Sequence, residues 1–277
     1  MRKEQKKKQS LQEYVNETLG LVHPIIIAIP TMVREDGTVR LDFIKLGLYK
    51  FAEIIVYCHE EDYGQVSLDY KQFGISNIVI HHEQGIAAIR WFIKDDLDKK
   101  YPNYIRFMAD DDVSGLEFGD EIEGSFRLPP GMKRTVTDPK IIYEYLCDLT
   151  KKAMQSEEEV LSFGPTTTLQ WRRIDNVKVK KYSRSVAIKN LVGYPPGKYN
   201  PYPKDPEITS LEELMAFCNM RKKKVRPVMR DNDVRVIADV SQRDPYDPDR
   251  LYAANWVIAH FGRGILKRHI KNYNKVV

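Results

Sequence analysis

Short apolar runs separated by amphipathic stretches set the pattern of the first 112 residues. Ile25-Ile26-Ile27-Ala28-Ile29 and Glu53-Ile54-Ile55-Val56-Tyr57-Cys58 are near-continuous β-branched or apolar runs. That is how strands buried on both faces of a parallel sheet read. Leu41 to Phe51, between them, has apolar residues at helical spacing. A polar and aromatic segment from Glu60 to Phe73 leads to a strand over Asn77 to His81, a glycine-led helix from Gly85 to about Leu97, and a strand over Tyr104 to Ala109. Alternating strands and helices predict an α/β fold with a mostly parallel, right-handed wound sheet, whose ligands lie outside the carboxyl ends of the strands.

Beyond residue 115 the pattern loosens. A PPG turn falls within Gly124 to Pro139, and a helix is expected over Asp138 to Ala153, with Pro139 suited to its first turn. A strand follows at Glu159 to Phe163. Residues 169–193 have antiparallel character, with Leu169 to Arg173 and Ser185 to Leu191 as strands around a charged loop. The stretch 193–206, GYPPGKYNPYPKDP, is too rich in proline for regular structure and reads as a functional surface loop. A helix over Ser210 to Met220, a strand at Val225 to Met229 or Val234 to Ala238, and a basic helix from Pro248 to about Tyr273 complete the chain.

Composition narrows the class. With 277 residues and 42% hydrophobic content the chain can bury one substantial core. Its net charge of +5 is modest, but the first ten residues and the segment holding Arg263, Lys267, Arg268, His269, Lys271 and Lys275 are both basic. Residues 1–20 read as a flexible arm, because so little apolar surface cannot offset the entropy of ordering. Cys58, Cys147 and Cys218 are far apart, which fits neither a disulfide framework nor a CxxC metal site. No apolar run approaches membrane-spanning length, and no apolar stretch follows the basic start as in a signal peptide. A cytoplasmic protein is expected.

The sharpest feature is Arg106-Phe107-Met108-Ala109-Asp110-Asp111-Asp112, an apolar strand that stops on three successive carboxylates. Adjacent anions repel and raise one another's pKa unless a cation or a set of donors compensates, so the arrangement favours Mg²⁺ or Mn²⁺ completed by phosphate and water. A solvated acidic turn is the competing reading. Two features add weight to the metal. Ile25–Ile29 ends in Pro30-Thr31, where a base can lie against backbone at the sheet edge. The helix opening at Gly85 offers unpaired N–H groups to an anion, with Arg90 in its second turn.

The order IAIPT, HHEQGIAAIRWFI and IRFMADDDV resembles the N-terminal half of GT-A-fold glycosyltransferases. The match is best with the phage and base-J-type enzymes that modify hydroxymethylated pyrimidines in DNA, and it covers roughly residues 23–115. The resemblance implies a single GT-A-like domain over residues 21–277, with a nucleotide-sugar half at 21–115 and an acceptor half at 116–277. It implies that Asp110 and Asp112 hold the metal on a UDP-sugar, with Asp111 and Arg90 supporting the donor. Pro30 and Thr31 match the nucleotide loop less specifically. Arg34 departs from the pattern, because an EDGT turn follows it.

An inverting transfer also needs a base for the acceptor hydroxyl. Asp205 and Glu207 are candidates, since they follow the aromatic loop and precede a helix. Glu212 and Glu213 read as structural, because Ser210 can cap that helix and Glu213 can complete a capping box. His260 and the pair His81-His82 lack the spacing of a zinc motif.

Cations interleaved with aromatics suit a nucleic-acid acceptor: Trp171-Arg172-Arg173, Lys178 to Lys181 with Tyr182, Arg184, Lys198-Tyr199 with Tyr202, Arg221 to Lys224 with Arg226, and the basic end of the chain. The expectation is therefore a metal-dependent glycosyltransferase acting on hydroxymethylated DNA, in a host cytoplasm if the protein is viral. A glycan or small-molecule acceptor, a sugar nucleotidyltransferase and a non-catalytic nucleic-acid-binding protein are the alternatives. The nucleotidyltransferase ranks low because no glycine-rich cationic loop follows the first strand.

Overall fold

The computed structural model describes residues 24–119, 126–166, 182–183, 188–197, 199–208, 212–223, 227–238 and 248–262. The basic arm at 1–20, Trp171-Arg172-Arg173, Lys178 to Lys181, Arg184, Lys198, Lys224, Arg226 and the chain beyond Gly262 lie outside them.

Among the described residues, ten strands form one mixed sheet with helices on both faces. The first half contributes β1 (Ile25–Pro30), β2 (Glu53–His59), β3 (Ile78–His81) and β4 (Ile105–Ala109), all parallel, in the spatial order β3-β2-β1-β4. Every residue from Ile25 to Ile29 is fully buried, so the β-branched run has apolar partners on both faces. Ile25, Ile27 and Ile29 face one core with α1 (Asp42–Lys45), α2 (Tyr63–Lys71) and α4 (Pro139–Met154). Ile26 and Ala28 face the other, with α3 (Ile86–Lys100), α5 (Glu212–Lys223) and α6 (Pro248–Phe261). The expected α/β architecture is therefore present as a three-layer domain.

The second half extends the same sheet with mixed polarity. Here lie β5 (Val113–Phe118), β6 (Thr135–Val136), β7 (Ser162–Thr166), β8 (Tyr182–Ser183), β9 (Leu191–Tyr194) and β10 (Val228–Ala238). The order continues β4-β9-β7-β10-β5-β6, with β9 antiparallel to both neighbours and β7 parallel to β10. α4 starts as expected: the Asp138 carboxylate accepts from the amides of Lys140 and Ile141, and Pro139 needs no donor there.

Several expectations are corrected. The stretch Leu41 to Phe51 is not one helix; Gly47, at φ 79°, splits it into α1 and a 3-10 turn at Leu48–Lys50. The segment Glu60 to Phe73 contains α2. The strand placed at Glu159 to Phe163 lies later, at Ser162–Thr166. β5 follows the aspartates directly and was not anticipated. The two alternatives, Val225–Met229 and Val234–Ala238, both overlap one strand, β10, which starts at Val228 and whose register against β7 jumps between Asp231 and Arg235; Val225 and Arg226 lie outside the described residues. That bulge lets its first half pair with β7 and its second with β5.

The Pro/Tyr-rich stretch 193–206 is not a free lid. Its first residues belong to β9, and the Tyr194 and Tyr202 hydroxyls meet at 2.5 Å in the interior. Arg106 donates to the carbonyls of Pro195 and Gly197, Asn200 to that of Trp91, and Asn219 to that of Pro201. Side-chain donors, buried at Arg106 and half-buried at Asn200 and Asn219, thus fix a backbone that proline deprives of its own hydrogen bonds. Among the described residues no helix is long and apolar enough to cross a membrane.

Candidate functional site

Order β3-β2-β1-β4 has its switch point between β1 and β4. The chain leaves β1 to one side to build β2 and β3, then returns to build β4 on the other. Crossover connections on opposite sides leave a crevice at the carboxyl ends of those two strands, where α/β sheets take their ligands. Thr31 follows one strand and Asp110, Asp111 and Asp112 follow the other.

Each carboxylate has a separate neighbour. The Thr31 hydroxyl donates to Asp111 Oδ2 at 2.9 Å, joining the two strand ends. The Asp111 carbonyl accepts from the Phe43 amide at the start of α1. Arg40 Nη1 reaches Asp112 Oδ2 at 3.3 Å. Arg90 Nη2 reaches Asp110 Oδ1 at 2.5 Å. The Asp110 amide donates to the carbonyl of Asn190, just before β9, so the turn is tied to the second half of the sheet as well.

The EDGT turn proves part of this site. The Arg34 amide donates to the Thr38 carbonyl, Gly37 donates back to Arg34, and Val33 bridges Val39. This small hairpin returns Arg40 to Asp112 and leaves Arg34 close enough to lower the pKa of Asp111. Arg34 Nε is buried without a hydrogen-bond partner. Arg40 was not singled out from the sequence; its signal was the hairpin turn itself, which brings residue 40 back beside residue 34.

Burial dominates the electrostatics. It raises the Asp111 carboxyl to about 6, with the Thr31 hydrogen bond and the Arg34 and Arg40 charges pulling the other way. Asp110 is also raised, by burial first and by the Glu213 and Asp112 charges, against the pull of Arg90. A cation at this edge would lower both values by favouring the charged forms.

Arg90 does not stand ready for a donor anion, contrary to expectation. It is 2% exposed, with Glu212 Oε1 at 3.1 Å from Nε and Glu213 Oε1 at 3.3 Å from Nη2, besides Asp110. Three carboxylates surround one guanidinium. Burial, and after it the Glu213 charge, push Glu212 up to about 8 against the pull of Arg90. Glu212 and Glu213, read from sequence as structural helix-start residues, therefore lie beside Asp110.

The helix end at Gly85 is closed to an anion too. Gly85 sits at φ 75°, and a Cβ there would stand 2.2 Å from the Pro206 carbonyl oxygen. The Ala87 amide already donates to the Ile208 carbonyl. Backbone of residues 206–208 occupies the place a phosphate would need.

Asp205 and Glu207 belong to that same segment but face α6. The Asp205 carboxylate accepts from the Glu207 amide, and both side chains hydrogen-bond the Tyr252 hydroxyl. Pro30 ends β1 opposite Tyr57, half-buried beside Thr31. His260 stacks on Trp256 at 4.0 Å and contacts the Trp256 carbonyl one turn back, which accounts for it structurally. A cleft of about 260 Å³, lined by Phe118, Phe126, Met132, Arg134 and Asp233 among others, lies at the far end of β5 from the aspartates.

No protein-family model and no curated protein matches this chain. Among solved structures it is similar to the inositol-1-phosphate CTP transferase from T. maritima, at 12% identity and a TM-score of 0.38 over 80% of this chain and 92% of that one. It is also similar to 4-diphosphocytidyl-2C-methyl-D-erythritolsynthase from Anaerococcus prevotii DSM 20548, at 9% identity and a TM-score of 0.38 over 85% and 96%. Likenesses this loose carry neither fold nor activity across, and the account rests on the chain's own geometry.

Among the described residues no three His, Cys, Asp or Glu side chains converge on one metal position. The donor set still fits a hard cation of the Mg²⁺ or Mn²⁺ kind. Such an ion takes one or two carboxylates and completes its shell with phosphate oxygens and water. Arg40 Nη1 lies 3.3 Å from Asp112 Oδ2, a longer contact than the 2.5 Å between Arg90 and Asp110. Asp110 is held more firmly by Arg90.

Proposed function

We propose that the chain is a divalent-metal-dependent transferase acting on a nucleoside-diphosphate donor at the β1–β4 edge. The observation that carries this reading is the Thr31–Asp111 hydrogen bond across the switch point. It fixes the acidic turn where a nucleotide's base and phosphates would meet the ends of β1 and β4. Asp112 with Asp110 or Asp111 would hold Mn²⁺ or Mg²⁺, which supplies charge neutralisation for the leaving diphosphate. Arg34 and Arg40 supply fixed positive charge on the same side.

The finer reading is transfer of a sugar from a UDP-sugar to a hydroxymethylated pyrimidine in DNA. It rests on the resemblance of the three N-terminal motifs and on cations laid over aromatic rings. Lys204 lies over Trp91 and Lys222 over Phe261, each at 4.5 Å, and Lys223 lies 5.8 Å from the Tyr199 ring centre. A surface of rings and cations suits bases and phosphates together. For the acceptor's proton, Glu213 is better placed than Asp205 or Glu207, since it shares Arg90 with Asp110.

One observation favours nucleotidyl transfer as a second reading. Arg34 and Arg40 sit on a tight hairpin directly after β1, facing the aspartates, which is where a triphosphate would be gripped. The two reactions separate by product. Incubation with UDP-sugar, Mn²⁺ and hydroxymethylated DNA yields UDP in the first. Incubation with nucleoside triphosphate and a sugar phosphate yields pyrophosphate in the second. Formation of neither product, with any nucleotide, removes the transferase reading.

A further inference from the structure

Arg90 joins parts of the chain that lie far apart in sequence. From α3, its Nη2 donates both to Asp110 Oδ1, 20 residues on, and to Glu213 Oε1, 123 residues on. Glu212 Oε1 adds a third carboxylate oxygen 3.1 Å from Nε. The Arg90 side chain is 2% exposed, those of Glu212 and Glu213 8% and 12%, and that of Asp110 23%. The guanidinium is thus the buried base of the group, and Asp110 is its outermost member.

That geometry sets how Asp110 faces the crevice. Nη2 engages Oδ1, while Oδ2 makes no hydrogen bond among the described residues. Backbone fixes the residue from the other side, through the Asp110 amide and the Asn190 carbonyl at 2.8 Å. A side chain already held in this way has less rotamer freedom to lose on taking a ligand. Carboxylates that bind metals are themselves hydrogen-bonded by a second layer of groups, which orients them. The planar guanidinium suits this task, because Nη2 points its two hydrogens in fixed directions, one for each carboxylate. By charge alone Arg90 would repel a cation at Asp110. Any help it gives to cation binding therefore comes from orientation.

We propose that Arg90 is a positioning residue for the divalent cation of the β1–β4 edge, and that Glu213 acts through it. The Glu213 carboxylate fixes the guanidinium, and the guanidinium holds Asp110 Oδ1 so that Oδ2 is presented to the cation. This rests on the metal-dependent reading of that edge. It gives the start of α5, in the second half of the chain, a part in a donor edge built mainly from the first 112 residues.

Binding of Mn²⁺ to the full-length chain in the presence of UDP, read from the electron paramagnetic resonance signal of free Mn²⁺, tests this without turnover. Arg90→Lys keeps the charge and loses the fork, and it should weaken Mn²⁺ binding by about tenfold or more. Glu213→Ala and Glu213→Gln remove the same charge, but only glutamine keeps an acceptor for Nη2. Alanine should therefore weaken binding about fivefold more than glutamine does. In the Arg90→Lys background that difference should vanish, because the two residues act as one unit. Thermal unfolding checks that each variant is folded, and the Glu213 pair carries the test if Arg90→Lys is not. Arg90→Lys binding as tightly as wild type, or the two Glu213 variants binding alike, overturns the proposal. The metal-dependent reading survives that result if Asp112→Asn loses the ion. Absence of Mn²⁺ binding to wild type overturns both.

Discussion

The same helix and the same strand carry two buried ion clusters of opposite character. Toward the carboxyl end, Arg90 of α3 faces Asp110, Glu212 and Glu213, an excess of carboxylate. One turn along α3, Lys94 grips both oxygens of Asp98 at 2.6 Å, and Arg106 of β4 adds a contact at 3.0 Å. There the excess is cationic, and backbone meets most of it: Arg106 Nη1 donates to the carbonyl of Tyr101 and Nη2 to those of Pro195 and Gly197, while Nε is buried without a partner. A cluster whose surplus charge is met mostly by backbone carbonyls serves the fold. One that keeps surplus charge of a single sign at a switch point is where the proposed cation would bind.

Removing Asp98 should break that comparison most severely. Asp98→Ala leaves two buried cations without their anion, and a loss of about 3–5 kcal/mol is expected in denaturant unfolding. Asp112→Asn should behave oppositely. It should cost little stability and abolish metal-dependent nucleotide binding, since Asp112 is partly exposed and its contact to Arg40 is long.

A pH experiment sharpens the contrast. The Asp111 carboxyl is raised from 3.8 to about 6, so the stability it contributes is full below pH 3.8 and is lost as pH rises through 6. Asp111→Asn keeps a side-chain acceptor for Thr31 and escapes that loss. Its melting temperature relative to wild type should therefore rise between pH 4 and pH 6 and then level off. Mn²⁺ affinity in wild type should fall as pH drops through about 6, because binding then displaces protons. The smallest effect is expected at the surface. Lys222→Ala/Lys223→Ala should reduce the salt dependence of binding to single-stranded DNA by roughly one to two units of log–log slope.

Much of the first half was legible in the sequence. β-Branched runs such as Ile25–Ile29 read as two-sided strands, and an acidic stop after an apolar strand is visible without coordinates. What could not be read was pairing across distance. Arg90 and Gly85 looked like an anion site because a helix start and a cation are local features. The groups that occupy them, Glu212, Glu213 and the carbonyls of Pro206 and Ile208, come from more than a hundred residues away. Glu212 and Glu213 were assigned to a capping box for the same reason, since local rules explained them fully. The Tyr-rich loop misled because proline reports the missing backbone hydrogen bonds but not the Arg106, Asn200 and Asn219 side chains that replace them.

The central claim is that the aspartates at the β1–β4 switch point hold a nucleotide through a divalent cation. Calorimetric titration of wild type and Asp112→Asn with UDP, UDP-sugars and CTP, with and without Mn²⁺, tests it most directly. The account predicts nucleotide binding that requires Mn²⁺ in wild type and is absent in the variant. Binding that ignores the metal, binding that persists unchanged in Asp112→Asn, or no binding to any of these nucleotides would contradict it.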